Sequence, residues 1–314
     1  MATARRQRLD RELVRRELAR SRQHATDLIS AGRVLVGGTA ASKGTTMVER
    51  SAAVIVTEAP SGEADYVSRG AHKLLGALRA FEPLGLQVGG KFCLDAGAST
   101  GGFTDVLLRH DAAHVVAADV GYGQLAWALQ QDKRVTVMDR TNIRALEPQD
   151  LAEAPEIVVS DLSFISLKTV LPALAQCAAP GADLLLMVKP QFEVGRERLG
   201  SGGVVRSPQL RVESVLSVAE CAQGLGLAVK DVVASPLPGP SGNVEYFLWL
   251  VKVATTGPAA PSAAAAAVAG AVETAAAGAT APTAGDLSAP ESPYLSDEAL
   301  RVAIERAVAE GPRR

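Results

Sequence analysis

Cysteine is scarce in this 314-residue chain: Cys93, Cys177 and Cys221 are odd in number, far apart and set among apolar neighbours. That excludes a disulfide framework and the paired spacing of a structural zinc site. It predicts reduced core residues in a cytosolic, cytoplasmic protein. The four histidines, His24, His72, His110 and His114, show no ligand spacing, so no metal is expected. No apolar run reaches the roughly 20 residues of a membrane span, and the N-terminus lacks the apolar core of a signal peptide. A formal net charge of −2 gives the chain no overall attraction to nucleic acid. The first 20 residues depart from that balance, with seven arginines against three acids, so an RNA partner is predicted locally, at the N-terminus.

The dinucleotide spacing GxGxxG is also missing. In its place stands Lys91-Phe-Cys-Leu-Asp-Ala-Gly-Ala-Ser-Thr-Gly-Gly-Phe-Thr-Asp105, around which the chain is organised. It reads as a short buried strand, a glycine turn and the start of a helix. Gly97, Gly101 and Gly102 remove side chains that would hold a ligand away from the backbone. A second acid, Asp119, follows Asp95 by 24 residues at the end of another apolar run, where it suits the hydroxyls of a ribose. This spacing fits a nucleoside with a carboxylate better than a pyrophosphate, and S-adenosylmethionine (SAM) is such a ligand. Ser99 and Thr100 are expected to bond the methionine carboxylate or to cap the helix. Phe103 packs that helix or stacks on the ligand, Asp139 contacts the adenine or caps a helix, and Asp105 lies on the helix surface.

Residues 5–57 read as a small basic module. Leu9, Leu13, Leu18, Ala25, Leu28 and Ile29 recur at helical spacing through two helices. Ser21 caps the second and Gly32 ends it; Val34–Val36 and Ala53–Thr57 are strands. Arg5, Arg6, Arg8, Arg11, Arg15, Arg16, Arg20 and Arg22 crowd the outer faces, as a phosphate-binding stripe would. The pattern from Arg8 to Gly44 resembles the S4 domain, a small RNA-binding fold. Residues 1–60 are therefore assigned to an S4-like α+β domain and 61–67 to a linker.

From residue 91 onward, candidate strands at 91–94, 114–118, 135–138, 156–160, 182–188, 228–234 and 245–252 alternate with stretches long enough for helices. This predicts an α/β fold, a mostly parallel seven-stranded sheet of Rossmann-like type, with the last two strands as an antiparallel hairpin. In such sheets ligands lie beyond the carboxyl ends of the strands. Asp95, Asp119, Asp139, Asp161 and Lys189 all fall there. Residues 254–290 are Ala, Pro, Thr, Gly and Ser with almost no charge, the composition of a disordered linker. Ser296–Val308 then reads as a capped terminal helix, so 68–253 is the catalytic domain and 254–314 a tail.

Lys73, Asp161, Lys189 and Glu245 form the candidate catalytic set. Two lysines and two acids at one sheet edge are poor core residues, because unpaired buried charge is costly. Methylation of a ribose hydroxyl needs a base for a weak nucleophile held in line at about 3 Å. A lysine, with an ordinary pKa of about 10.4, serves only if it is brought about 3 pH units lower. Burial and a second cation act in that direction. Lys189 is assigned as base, Asp161 as its aligner, Lys73 as the second cation and Glu245 as the anchor of Lys73 or the ribose. The turn Asp161-Leu-Ser-Phe164 lacks the two prolines common where base amino groups are methylated. No cysteine sits at a strand end, as carbon methylation of pyrimidines would ask.

Ser68-Arg-Gly-Ala-His-Lys73-Leu, Asp95–Asp105, Asp161-Leu-Ser-Phe-Ile-Ser166, Val188-Lys-Pro-Gln-Phe-Glu193 and Gly242-Asn-Val-Glu245 together resemble the TlyA family over residues 5–252. Its members join an S4 domain to an FtsJ-like methyltransferase, and some carry a haemolysin label. The resemblance implies a Lys-Asp-Lys-Glu tetrad at those positions, SAM as donor, and a cytidine 2′-hydroxyl of 16S or 23S rRNA as target. The chain departs from the pattern in its tail after Val253 and in Tyr66, where relatives often have Trp. A non-catalytic RNA-binding or assembly factor and a membrane-lytic protein are the competing readings. The intact tetrad and glycine turn argue against the first, and the absence of spanning segments against the second.

Overall fold

The computed structural model describes residues 6–19, 21–57, 66–239, 241–253 and 293–312. Arg5, Arg20, residues 61–65 of the expected linker and the 254–290 stretch lie outside the described residues.

The N-terminal module opens with β1 (Arg6–Arg8), α1 (Leu9–Arg15) and α2 (Arg22–Ser30), followed by β2 (Val34–Val36), β3 (Thr39–Ala40), β4 (Met47–Glu49) and β5 (Val54–Val56). Ser21 accepts the His24 N–H and so caps α2, as its position in the sequence predicts. Leu9, Leu13, Ala25, Leu28, Ile29 and Val34 fill a core of their own. Two acids on α1 are buried, Asp10 and Glu12. Arg8 and Arg22 reach Asp10, and Arg15 and Arg16 reach Glu12. Four of the arginines expected on outer faces are thus anchored to interior carboxylates, which orders their guanidiniums.

The larger sheet follows α3 (Ala71–Phe81). Its elements run β6 (Phe92–Ala96), α4 (Gly102–Arg109), β7 (His114–Ala118), α5 (Trp127–Gln130), β8 (Val135–Met138), β9 (Ile157–Ser160), α6 (Leu171–Cys177) and β10 (Asp183–Val188). Then come α7 (Pro190–Glu193), α8 (Pro208–Gln223), β11 (Leu227–Ala234), β12 (Tyr246–Lys252) and, after a gap, α9 (Asp297–Glu310). The strand order is β11-β12-β10-β9-β6-β7-β8. All pairings are parallel except those of β12, which is antiparallel to both neighbours.

Central strands are covered on both faces, which is why they read as unbroken apolar runs. Along β10, Leu184, Leu186 and Val188 join the layer built with α6, α8 and α9. Leu185 and Met187 face the opposite layer, built with α3 and α4. β12 divides the same way, with Tyr246, Leu248 and Leu250 against Phe247 and Trp249.

The helix after the glycine turn corrects one expectation. Asp105 is buried, not a surface residue. Its carboxylate accepts the Val67 N–H at 2.9 Å and pairs with Arg109 at 2.7 Å. Arg109 in turn lies over the Tyr66 ring, 4.4 Å from its centroid. The chain just before α3 folds back over α4 and covers that acid.

Candidate active site

The period of two along a strand assembles the site. Val159, Met187 and Phe247 belong to the layer beneath α3. Asp161 and Lys189 lie two residues beyond the first two, and Glu245 two residues before the third. All three therefore project at the rim on the α3 side, and α3 brings Lys73 to meet them. Because β12 runs antiparallel, its first residues reach the same rim as the last residues of β9 and β10.

Lys189 Nζ stands 2.6 Å from Asp161 Oδ1 and donates to Ser163 Oγ at 2.9 Å. Lys73 Nζ donates to Glu245 Oε2 at 2.7 Å and to Asp161 Oδ2 at 3.4 Å. Asp161 thus bridges the two lysines. Gln191 donates to the other oxygen of Glu245 at 3.4 Å. A Cβ at position 239 would come within 2.5 Å of Glu245 Oε1, so Gly239 permits the loop to close over this carboxylate. Lys189 and Glu245 are almost fully buried.

Burial pulls the Lys73 ammonium down, but the Asp161 and Glu245 carboxylates outweigh it and hold the group above its usual range. Burial raises Asp161, and Lys189 and Lys73 more than reverse that, leaving it below the ordinary carboxylate range. Lys73 is thereby kept cationic and Asp161 anionic.

A cavity of about 550 Å³ opens beside this cluster. Gly97, Ser99, Thr100, Gly102, Phe103, Asp119, Asp161, Lys73 and Lys189 all line it. Gly97 has φ +92°, and a Cβ there would meet Leu162 at 2.9 Å. The Asp119 carboxylate accepts the Ser99 and Gly121 N–H groups, which fixes the turn under the end of β7. Asp95 lies beneath the turn, wholly buried, with Thr104 donating to Oδ2 at 2.7 Å and Oδ1 without a partner. Burial pushes its carboxyl up to about 7. Phe103 packs near Phe247, ring centroids 5.9 Å apart, while also touching the cavity. Neither Ser99 nor Thr100 caps α4, whose N-cap is Gly101.

Besides the buried Asp95, two more expected residues stand apart from the cavity wall. Gly101 is pressed against Leu125 and Leu129. Asp139 accepts the Gly123 N–H at 2.9 Å and ties down a loop. Asn142 and Ile143 line the cavity where the third strand's acid was expected. Sequence reasoning also passed over Ser163, although it sits inside the Asp161–Phe164 turn. It passed over Glu193 as well, which accepts from Ser166 Oγ at 2.6 Å and Leu167 N–H at 2.8 Å and so joins two of the motifs.

The seven-stranded sheet with one reversed strand, the glycine turn and the rim of paired lysines and acids define a Rossmann-like methyltransferase fold behind an S4 domain. Residues 66–252 match the FtsJ-like methyltransferase family and residues 7–54 the S4 domain. The chain is 61% identical over 248 residues to the 16S/23S rRNA (cytidine-2′-O)-methyltransferase TlyA of Mycobacterium tuberculosis, covering 79% of this chain and 90% of that protein. It is 34% identical to Hemolysin A of Brachyspira hyodysenteriae, over 78% of this chain and 99% of that one. A solved structure from Streptococcus thermophilus that carries a hemolysin name is 37% identical, with a TM-score of 0.63 over 80% of this chain and 90% of that one. The chain belongs to the TlyA family of S4-bearing, FtsJ-like methyltransferases. No helix among the described residues is long and apolar enough to cross a membrane.

Proposed function

We propose that the protein transfers a methyl group from SAM to a cytidine ribose 2′-hydroxyl of 16S or 23S rRNA, with Lys189 as general base. The observation that carries this reading is the Lys73–Asp161–Lys189–Glu245 cluster set against a cavity floored by the glycine turn. The residues fit SAM. Gly97 leaves the backbone bare, Asp119 stands where ribose hydroxyls would lie, and Ser99, Thr100, Gly102 and Phe103 would receive the amino-acid end. When bound, SAM supplies an electrophilic methyl on a sulfonium and leaves as the neutral thioether.

The chain's own residues do the rest. Ser163 accepts a hydrogen bond from the Lys189 amine, and the Asp161 carboxylate holds that amine by an ion pair. Delivered neutral, that amine takes the hydroxyl proton as the new carbon–oxygen bond forms. Lys73, held cationic by the Asp161 and Glu245 carboxylates, shares Asp161 with Lys189 at the same rim. The arginines of the N-terminal module (Arg5, Arg6, Arg8, Arg11, Arg15, Arg20 and Arg22) hold rRNA phosphates.

The test is to incubate purified protein and SAM with ribosomal subunits from a bacterium without such methylation, and to map new ribose methyl groups. A new cytidine 2′-O-methyl with the wild type and none with Lys189→Ala is expected. Methylation on a base, or equal activity in the variant, would overturn the assignment.

A further inference from the structure

The family match ends at residue 252, yet α9 is built into the sheet domain. Ser296 caps it, Leu300, Ala303, Ile304 and Ala307 are buried, and Arg306 pairs with Asp231 at 2.7 Å. Just beyond its C-terminus Gly311 packs on Val244, next to Glu245. Between α9 and α8 lies a cavity of about 900 Å³. Val204, Val212, Val244 and Val308 form its apolar wall, and Arg206, Arg211 and Arg301 line it as well.

Beside that apolar wall, three features point to an anionic group on the ligand. Arg211 is held from behind, its Nε donating to Val205 O at 3.0 Å. The buried Tyr246 hydroxyl sits beside that guanidinium without a well-formed hydrogen bond. Of the two lining acids, Glu213 is tied to Arg198 at 2.7 Å, leaving Glu305 as the other acid beside Arg211 and Arg301.

The cavity also adjoins a second one that borders the active site. Gly242 lines it and lines a second cavity of about 580 Å³. That second cavity shares Ser68, Gly70 and Lys73 with the one beside the tetrad. The line of hollows runs from the reacting edge, past Gly239 and Gly242, to the α9 helix.

We infer that the α8–α9 cavity is an additional RNA contact, taking a phosphate and base of the strand that leads away from the target nucleotide. The inference rests on the proposed RNA substrate. It makes Arg301, carried by a segment outside the family match, part of this chain's RNA footprint.

The test uses the full-length protein with transcribed small- and large-subunit rRNA as probes. Arg301→Glu and the double variant Arg206→Ala/Arg301→Ala are compared with wild type by filter binding across a salt series. Binding is expected to weaken on the order of tenfold, with the salt slope reduced by about 1 for each phosphate that is no longer neutralised. SAM affinity and the melting temperature should stay at wild-type values, because these arginines are exposed at the cavity rim. Unchanged RNA affinity and slope would overturn the inference. So would a weakening seen only on assembled subunits and not on naked RNA, which would mark a protein contact. A wild type that binds rRNA but never methylates it would sink the proposed reaction alone, since the binding comparison still decides this one.

Discussion

Asp161 holds Lys189 at 2.6 Å across the ends of two neighbouring parallel strands, and its other oxygen faces Lys73. One carboxylate therefore sets the position of both cations. The prediction for Lys189→Ala is a fall in methyl transfer of about 10² to 10⁴, with SAM affinity within a few-fold of wild type. Isothermal calorimetry and transfer of labelled methyl to rRNA separate the two quantities.

Glu245 is buried with Lys73 as its close partner. Glu245→Gln leaves the ammonium facing Asp161 alone, so melting temperature and activity should both drop. Losing one partner of a buried pair costs about 3–5 kcal/mol. Pairing it with Lys73→Met should recover much of the stability and none of the turnover. Thermal denaturation alongside a turnover assay checks this, and a double variant as unstable as the worse single one would contradict it.

Asp95 gives a pH dependence of opposite sign to the usual acid. Its folded carboxyl is raised to about 7 by burial, above its unfolded value of about 3.9. The folded state then binds the extra proton between those values. The contribution is fully present below about pH 4 and is lost as pH rises through about 7. Asp95→Asn keeps an acceptor for Thr104 and should flatten stability over that window, raising it most at pH 8. Urea unfolding from pH 5 to 8 is the measurement.

The N-terminal module should respond at the other end of the scale. The Arg8 hydrogen bond holds Asp10 down at about 2, and the Arg15 hydrogen bond does the same for Glu12. Their stabilisation is present above the ordinary carboxylate range and disappears as pH falls towards 2. Acid unfolding followed on the module's amides should show Asp10→Asn and Glu12→Gln already weakened at pH 6, with a shallower acid transition than wild type.

Much of this was readable in advance, for physical reasons that differ by residue. The buried strands announced themselves because two-sided burial leaves only apolar residues, and Asp161 and Lys189 stood out at their ends. Asp105 was misread because a helical period marks which face is buried but not what covers the other face. Here the covering segment is Tyr66–Val67, and Val67 lies 38 residues before the acid it covers. Ser163 and Glu193 were hidden because a hydroxyl or an acid in a loop signals nothing until its partner is placed. The buried Asp10 and Glu12 escaped notice because arginines on either side made them look like part of a solvated charge run.

The reversed direction of β12 has a consequence for how this enzyme tolerates change. Its leading end, not its trailing one, meets the rim that carries Asp161 and Lys189, so the chain reaches that rim from β11 without threading a crossover past the sheet. A shift of β12 by a single step against β10 would be a different matter. It would exchange the two faces of the strand and swing the carboxylate of Glu245 towards the α6–α8 side, with Tyr246 in its place. A frame slip in the pairing should therefore extinguish the chemistry and also disrupt both core layers, since Phe247 and Trp249 would trade faces with Tyr246, Leu248 and Leu250.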